Sequence, residues 1–227
     1  MKIPKLDELF DFTHTIAQEV ITESDTPWEC IGKIRDFCEY IVTRLPSDYK
    51  KIGDCVFAAE SAEIFHDVTI LGPTVIGRGT QIRPGAYIRG SAIIGDGVVI
   101  GNSTEVKNSI ILDGAQLPHY NYVGDSIIGY KAHLGAGAII SNLRLDGKNV
   151  KIKAYGEKID TGMRKMGALV GDKSQVGCNA VILPGTIIGR RSIIYPLSRA
   201  GGIIEPDSYF YGDGHEPMRR RGEVCEE

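Results

Sequence analysis

The sequence has few of the features that mark membrane, secreted or metal-binding chains. No apolar run in its 227 residues approaches the roughly 20 residues that cross a bilayer, and its start has neither an apolar signal core nor a cleavage site. The five cysteines are widely spaced and match no zinc or redox motif. We therefore expect a cytoplasmic protein with free, mostly structural thiols and no metal site.

The chain also has little net charge, since 26 basic and 29 acidic residues leave −3 at pH 7. The charge is uneven, because residues 141–167 hold seven lysines and arginines against three acidic residues, which makes this stretch +4 and the rest −7. Nucleic-acid binding normally needs a broader basic surface. The patch therefore indicates a small anionic ligand such as a phosphate, with a solvated charged loop as the alternative.

What the chain does have is an aliphatic residue at every sixth position from Ile64 to Leu112, often followed by glycine. A six-residue period is typical of parallel β-helices, and neither a helix nor a single strand keeps such a phase for long. The phase shortens by one residue before Leu117 and again before Ile128, and it is interrupted between Ile140 and Val170. The unbroken series consists of Ile64, Ile70, Ile76, Ile82, Ile88, Ile94, Ile100, Val106 and Leu112.

Three regions follow from these patterns. Residues 1–50 have apolar residues at helical spacing and predict two amphipathic helices, the second begun by Asp25-Thr26-Pro27. Residues 51–204 form the solenoid, and residues 205–227 form a tail without a period, which we expect to be partly disordered. Because an open solenoid end exposes core residues and strand edges, we expect the helices to cap the first coil or to form an oligomer contact.

A protruding hairpin is predicted at about residues 142–168, where the repeat is interrupted. Val150 and Ile152 alternate with Lys151 and Lys153, and a turn follows at Tyr155-Gly156. Long excursions from a rigid scaffold often carry binding groups.

Several motifs resemble a known family more specifically than the repeat does. They are Glu105-Val106-Lys107-Asn108-Ser109, Leu117-Pro118-His119-Tyr120-Asn121-Tyr122-Val123-Gly124-Asp125, Leu134-Gly135-Ala136-Gly137 and Ile140-Ser141-Asn142-Leu143. With Arg164-Lys165-Met166 and Tyr195-Pro196, they resemble the acetyltransferase domain of the bifunctional glucosamine-1-phosphate acetyltransferase/N-acetylglucosamine-1-phosphate uridylyltransferase family in its archaeal form. The resemblance covers roughly residues 70–196.

The resemblance implies an all-β fold, a left-handed parallel β-helix preceded by a short two-helix segment, assembled as a homotrimer with active sites between subunits. It implies acetyl-CoA as acyl donor, His119 as general base and the backbone amide of Ala136 as oxyanion donor. The implied substrate-binding residues are Arg89, Lys107, Tyr122, His133 and Lys148. The residues implied to bind the acyl donor are Asn142, Lys151 and Cys178.

Structural roles are the alternatives for some of these residues. Arg89 is a solvated corner residue in that interpretation, Tyr122 packs at a subunit boundary, and Cys178 is a buried, inert thiol. His133 departs from the family pattern, because the bacterial members have an asparagine there that contacts the sugar. The uridylyltransferase part of the family has no counterpart in this sequence, so only acetyl transfer is expected.

The resulting prediction is an acetyl-CoA-dependent N-acetyltransferase that acts on an aminosugar-1-phosphate, with glucosamine-1-phosphate as first choice, in nucleotide-sugar biosynthesis. We expect neither a nucleic-acid nor a membrane partner. Two alternatives remain. One is acetylation of a nucleotide-linked aminosugar, and the other is a non-catalytic sugar-phosphate-binding or scaffold solenoid that partners a separate nucleotidyltransferase.

Overall fold

The computed structural model describes residues 3–24, 26–154 and 156–212, together with the backbone of residues 219–220. Asp25, Tyr155 and the remainder of the tail, including Arg221, lie outside the described residues. The fold class predicted from the sequence, a left-handed parallel β-helix preceded by a short helical segment, is confirmed. In the described part of the chain, no helix is both long and apolar enough to cross a membrane.

The helical segment consists of α1 (Leu6–Leu9), a 3₁₀ turn (Phe12–His14), α2 (Gln18–Thr22) and α3 (Glu29–Ile41). The first expected helix is thus broken into short pieces, whereas the second is continuous.

The strands follow in chain order. They are β1 (Tyr49–Gly53), β2 (Val56–Ala59), β3 (Glu63–Ile64), β4 (Thr69–Ile70), β5 (Thr74–Ile76), β6 (Gln81–Ile82), β7 (Tyr87–Ile88), β8 (Ala92–Ile94), β9 (Val99–Asn102), β10 (Glu105–Ile111), β11 (Gln116–His119), β12 (Tyr122–Ile128), β13 (His133–Leu134), β14 (Ile139–Ile140), β15 (Lys151–Ala154), β16 (Glu157–Asp160), β17 (Ala168–Val170), β18 (Gln175–Val176), β19 (Val181–Ile182), β20 (Thr186–Ile188), β21 (Ile193–Ile194), β22 (Arg199–Ala200), β23 (Ile203–Ile204), β24 (Ser208–Phe210) and β25 (Arg219–Arg220).

Parallel pairing between successive coils divides these strands among three faces of a prism. The first face is formed by β2, β5, β8, the ends of β10 and β12, β17, β20 and β23. The second face is formed by β3, β6, β9, β11, β13, β18, β21 and β24. The third face is formed by β4, β7, the beginnings of β10 and β12, β14, β19 and β22. Strands β10 and β12 therefore run continuously around the corner from the third face to the first.

The interior is filled by the repeated aliphatic residues, which are fully or partly buried from Ile64 to Ile194. Each buried isoleucine contributes roughly 1.5–3 kcal/mol of transfer free energy. One position differs from the expected phase: Ile111 points inward, whereas Leu112 packs in a second cluster outside the prism. The reason is that the repeat shortens one step earlier than expected, at the corner that contains Asn108.

The second cluster lies on the outside of the first face. Ile93, Ile110 and Ile127 point outward there and pack against α3 and the rest of the helical segment. The Asn108 amide also donates to the carbonyl of Ile31 in α3 at 3.2 Å. The helices therefore lie along one side of the prism, while β1 pairs with β2 at the edge of the first coil.

The predicted hairpin is present, as β15 pairs with β16 in antiparallel fashion. Val150 and Ile152 are fully buried in the same outer cluster as the helices, so one side of the hairpin is packed on the protein. The solenoid also continues past the predicted boundary at residue 204, because β24 pairs with β21 and places Phe210 at the end of the core.

Candidate active site

Three predicted residues form a row along the corner between the second and third faces. The registers of β11, β13 and β18 make His119, Ala136 and Cys178 equivalent positions in successive coils. Two backbone hydrogen bonds continue this register, from the Gly137 N–H to the His119 carbonyl at 3.1 Å and from the Asn179 N–H to the Ala136 carbonyl at 2.9 Å. Since neighbouring strands lie about 4.8 Å apart, the exposed His119 and the Ala136 amide are neighbours.

Asn121 fixes the backbone of this corner. Its side chain is buried, and its amide donates to the carbonyls of Gly135 at 2.8 Å and Ala138 at 3.3 Å, while its oxygen accepts the His119 N–H at 3.3 Å. Tyr120 stands at the tip of the corner with a φ of 51°, in the left-handed region. We did not predict a role for Asn121, although it lies inside the recognised motif.

The amide of Ala136 is an available hydrogen-bond donor. Among the described residues, none accepts a hydrogen bond from it, and Ala136 is partly exposed. The preceding residue must be small, because a β-carbon at Gly135 would stand 2.7 Å from the Cys178 amide nitrogen. A free backbone N–H beside an exposed imidazole is the pairing that acyl transfer requires of a base and an oxyanion donor.

The two predicted phosphate ligands stack at the opposite edge of the third face. The β7–β10 register continues from Ile88 to Arg89 and from Val106 to Lys107, so the two cations lie in adjacent coils. The Arg89 guanidinium lies 2.6 Å from the Glu105 carboxylate, whose hydrogen bond raises the pKa of Arg89. Each cation thus has a carboxylate partner within the chain, as Lys107 has in Asp125.

Tyr122 spans the third face between these two edges. Its hydroxyl accepts a hydrogen bond from the Asn142 amide at 3.1 Å. It passes over Gly124, where a β-carbon would stand 2.6 Å from the hydroxyl oxygen and 2.7 Å from the Asn142 nitrogen. Burial raises the pKa of Tyr122, which keeps the phenol in its protonated, donating form. The structure therefore brings Tyr122, Asn142 and Lys107 together.

Asp125 is the centre of this edge, and we did not predict it as a site residue. Its side chain is 6% exposed and accepts hydrogen bonds from Lys107 at 3.1 and 3.3 Å, from Asn108 at 2.8 Å and from Asn142 at 2.5 Å. The signal was available, because Asp125 closes the same motif that contains His119 and Tyr122.

His133 lies on the second face, around the corner from Tyr122. It lines a groove of about 270 Å³ that also includes Gln175, Cys178 and Tyr195. Burial, and after it the nearby His119, lower the pKa of His133. Tyr122 does not line this groove. Cys178 is exposed in the structure, so the alternative of a buried thiol is wrong.

The basic loop forms a second groove next to Asn142. Lys148 is exposed and its backbone N–H donates to Asp146 at 3.2 Å, while the Lys151 ammonium lies 3.8 Å from Asp160. This groove has a volume of about 520 Å³, and its polar lining includes three basic residues and Asp146, which pairs with Arg144. Its lining includes Leu143, Arg144, Lys151, Lys153, Val181, Leu183 and Pro184. Arg144 and Lys153 were not predicted individually, although both belong to the +4 stretch.

The fold and this arrangement define a hexapeptide-repeat solenoid with a histidine-bearing corner, and the comparisons with known proteins refine that class. The family model described as the GMPPB C-terminal domain matches residues 70–159. The resemblance inferred from the motifs is confirmed, because curated relatives include proteins named as bifunctional GlmU and as a bifunctional sugar-1-phosphate nucleotidylyltransferase/acetyltransferase.

Two relatives illustrate the extent of the match. The bifunctional sugar-1-phosphate nucleotidylyltransferase/acetyltransferase of Sulfurisphaera tokodaii is 44% identical over 102 residues, which are 45% of this chain and 24% of that protein. The bifunctional protein GlmU of Methanococcus aeolicus is 37% identical in a match 206 positions long, which covers 81% of this chain and 47% of that protein. The match thus spans between a quarter and a half of these relatives.

Among solved structures, the acetyltransferase domain of PglB from Neisseria gonorrhoeae, in complex with acetyl coenzyme A, is similar to this chain. It is 14% identical, the match covers 68% of this chain and 53% of that chain, and the TM-score is 0.36. Similarity this low adds nothing about substrate.

Proposed function

We propose that the protein transfers an acetyl group from acetyl-CoA to the amine of an aminosugar-1-phosphate, with glucosamine-1-phosphate as the first substrate to test. The observation that carries this proposal is the placement of two groups on opposite edges of the third face. His119 and the Ala136 amide lie at one edge, and Arg89 and Lys107 lie at the other. The face between the edges is about three residues of extended chain, roughly 10 Å, wide, and Lys107 and Arg89 lie one and two coils away from His119. The amine and the phosphate of glucosamine-1-phosphate are on adjacent ring carbons and lie closer together than this, so the arginine and lysine side chains have to reach across the face to the phosphate.

The chemistry assigned to the first edge is amide formation. His119 accepts a proton from the substrate ammonium, and the nitrogen then attacks the thioester carbonyl. The Ala136 N–H donates to the oxygen that becomes negative in the tetrahedral intermediate. The new C–N bond remains when the C–S bond breaks, and coenzyme A leaves as the thiol after taking up a proton.

The opposite edge and the basic loop supply binding. Arg89, Lys107 and Lys148 bind the sugar phosphate, to which an arginine can offer two parallel hydrogen bonds. Tyr122 adds a neutral donor, and His133 contacts the sugar from the subunit whose second face borders the site.

We assign the acyl donor to the row formed by Ala136 and Cys178 and to the groove beside the basic loop. Asn142 positions the acetyl end, the pantetheine arm passes the backbone of Cys178, and Lys151 on the rim of the 520 Å³ groove meets coenzyme phosphate. We further propose a homotrimer, in which a neighbouring subunit completes this groove. Sedimentation of the purified chain at three times its mass is the expected result.

The test is release of coenzyme A from acetyl-CoA in the presence of glucosamine-1-phosphate. His119→Ala should lower kcat by about two to four orders of magnitude, which is the usual contribution of a positioned base. His66→Ala is a matched control, because His66 is an exposed histidine at another coil. Unchanged turnover in His119→Ala would exclude His119 as the base. Saturable binding of the sugar phosphate without acetyl-CoA binding in calorimetry would instead support a non-catalytic binding protein.

A further inference from the structure

We propose that Asp125 is a positioning residue that sets the direction of the hydrogen bonds in the sugar-phosphate site, so that Tyr122 donates to the phosphate and Asn142 presents an acceptor. This inference rests on the proposed function, since it concerns the same site. It adds a residue that touches neither the sugar nor the acyl donor.

The first step is the orientation of Asn142. A carboxylate can only accept hydrogen bonds, so the group of Asn142 that faces Asp125 at 2.5 Å must be its NH₂. The same nitrogen donates to the Tyr122 hydroxyl at 3.1 Å. Both amide hydrogens are thereby used inside the network, and the carbonyl oxygen of Asn142 is left to face a ligand.

The second step is the orientation of the Tyr122 hydroxyl. Because its oxygen already accepts from Asn142, its hydrogen is free to point away from the network. A phosphate oxygen held by Arg89 and Lys107 is the acceptor that such a hydrogen would meet. Asp125 therefore acts on the phenol through Asn142.

The third step is the rigidity of Asp125 itself. The carboxylate is buried, and its oxygens also accept from the Lys107 ammonium and from the Asn108 amide. Asn108 is fixed in turn by the carbonyl of Ile31 in α3. The helical segment thus supports the site from the far side of the corner, which gives α3 a role beyond covering the first face.

Asp125→Asn should reverse the direction of the hydrogen bonds between residues 125, 142 and 122 while keeping the shape of the side chain. The amide introduced by this substitution turns its oxygen toward Asn108, because the Asn108 NH₂ is held in place by the Ile31 carbonyl and can only donate at that position. The Lys107 ammonium lies 3.3 Å from the same oxygen position and donates to it as well. Its NH₂ then faces Asn142 and turns the Asn142 amide over. The Asn142 oxygen accepts from the Tyr122 hydroxyl, whose hydrogen is no longer available to a phosphate.

A double-mutant cycle measures this coupling, with the Kd of glucosamine-1-phosphate determined by calorimetry. In the wild-type background Tyr122→Phe should weaken binding roughly tenfold, as expected for a hydrogen bond to a charged group. In the Asp125→Asn background the same change should cost less than about twofold. A merely structural role for Asp125 gives equal losses in both backgrounds, and that result would overturn the inference.

Asp172→Asn is the matched control. The Asp172 side chain is 6% exposed, as is that of Asp125, and its oxygens accept backbone amides at the corner between the first and second faces. It should leave both the Kd and the Tyr122→Phe effect unchanged. If Asp125→Asn does not fold, Asn142→Asp tests the same relay, because a carboxyl at 142 also accepts from Tyr122 and should abolish the Tyr122→Phe effect.

The same measurements distinguish a failure of the proposed function from a failure of the role proposed for Asp125. Wild-type protein that binds no glucosamine-1-phosphate contradicts the assignment of the site, whereas binding with an additive cycle contradicts only the role of Asp125.

Discussion

The phenol of Tyr122 lies against Gly124 two residues along the same strand, where a β-carbon would stand 2.6 Å from the hydroxyl oxygen. The atoms that such a carbon would displace are the ends of two side chains, the Tyr122 hydroxyl and the Asn142 amide. Glycine at this position therefore serves the geometry of the site more than the stability of the strand.

Gly124→Ala should accordingly damage binding more than folding. Displacing the Tyr122 hydroxyl loses its hydrogen bond to phosphate, so we expect the KM for glucosamine-1-phosphate to rise roughly tenfold. The free energy of unfolding should fall by only about 1 kcal/mol, the low end of the cost of overpacking. Steady-state kinetics and urea unfolding check the two effects. Gly32→Ala, at an open position in α3, is the control and should change neither KM nor kcat. A large loss of stability with an unchanged KM would contradict this prediction.

Asn121→Ala should disturb the catalytic corner. Its amide donates to the carbonyls of Gly135 and Ala138, which also accept the backbone N–H groups of Ala138 and Tyr122. The substitution therefore removes two hydrogen bonds without leaving either carbonyl unpaired, at a cost of about 1 kcal/mol each. Because the same side chain accepts from the His119 N–H, we also expect kcat to fall while the Kd of the sugar phosphate stays within about twofold. Thermal unfolding, kcat and calorimetry on one preparation separate these effects. A fall in stability alone would show that Asn121 supports the fold without positioning His119.

Much of the fold could be predicted, because the six-residue period depends only on which side chains point inward. The exact phase could not, since the corner at Asn108 accommodates one residue fewer than the corners before it. That shortening turns Leu112 out of the core and places Asn108 and Asp125 at the same corner in adjacent coils.

The position of the helical segment along the first face was not predicted, although a second apolar pattern, on the outward side of that face, indicates it. Outward positions of the first face are apolar at Ile93, Ile110 and Ile127, so this face needs a cover. The alignment of Ala136 with Cys178 is also hidden in the sequence, because the loop between β14 and β17 must first be removed. The direction of the hydrogen bonds around Asp125 depends on distances between side chains from three parts of the chain, which the sequence does not contain.

The basic groove predicts a difference between two lysines of one hairpin. Lys151 lines the groove beside Leu143 and Val181, whereas Lys158 lies on the other strand and does not line it. Lys151→Ala should raise the KM for acetyl-CoA several-fold, by about the contribution of one partly exposed charge contact. Lys158→Ala removes the same charge and should leave that KM unchanged. Equal effects of both substitutions would indicate long-range charge attraction instead of a contact.

Repeating the assay at high salt should reduce the Lys151→Ala effect, because salt screens exposed charges.

His133 should make stability depend on pH. Burial, and after it the nearby His119, lower its pKa in the folded state below the unfolded value of 6.5. As pH falls below 6.5, the unfolded chain takes up the proton first, so stability is complete above that pH and declines below it. Urea unfolding on either side of pH 6.5 should show a smaller decline in His133→Asn than in the wild type. His119→Asn should produce an intermediate decline, because it removes the Coulombic effect of His119 on His133 but leaves the burial, which is the larger cause. Identical declines in all three proteins would show that His133 titrates alike in the folded and unfolded states.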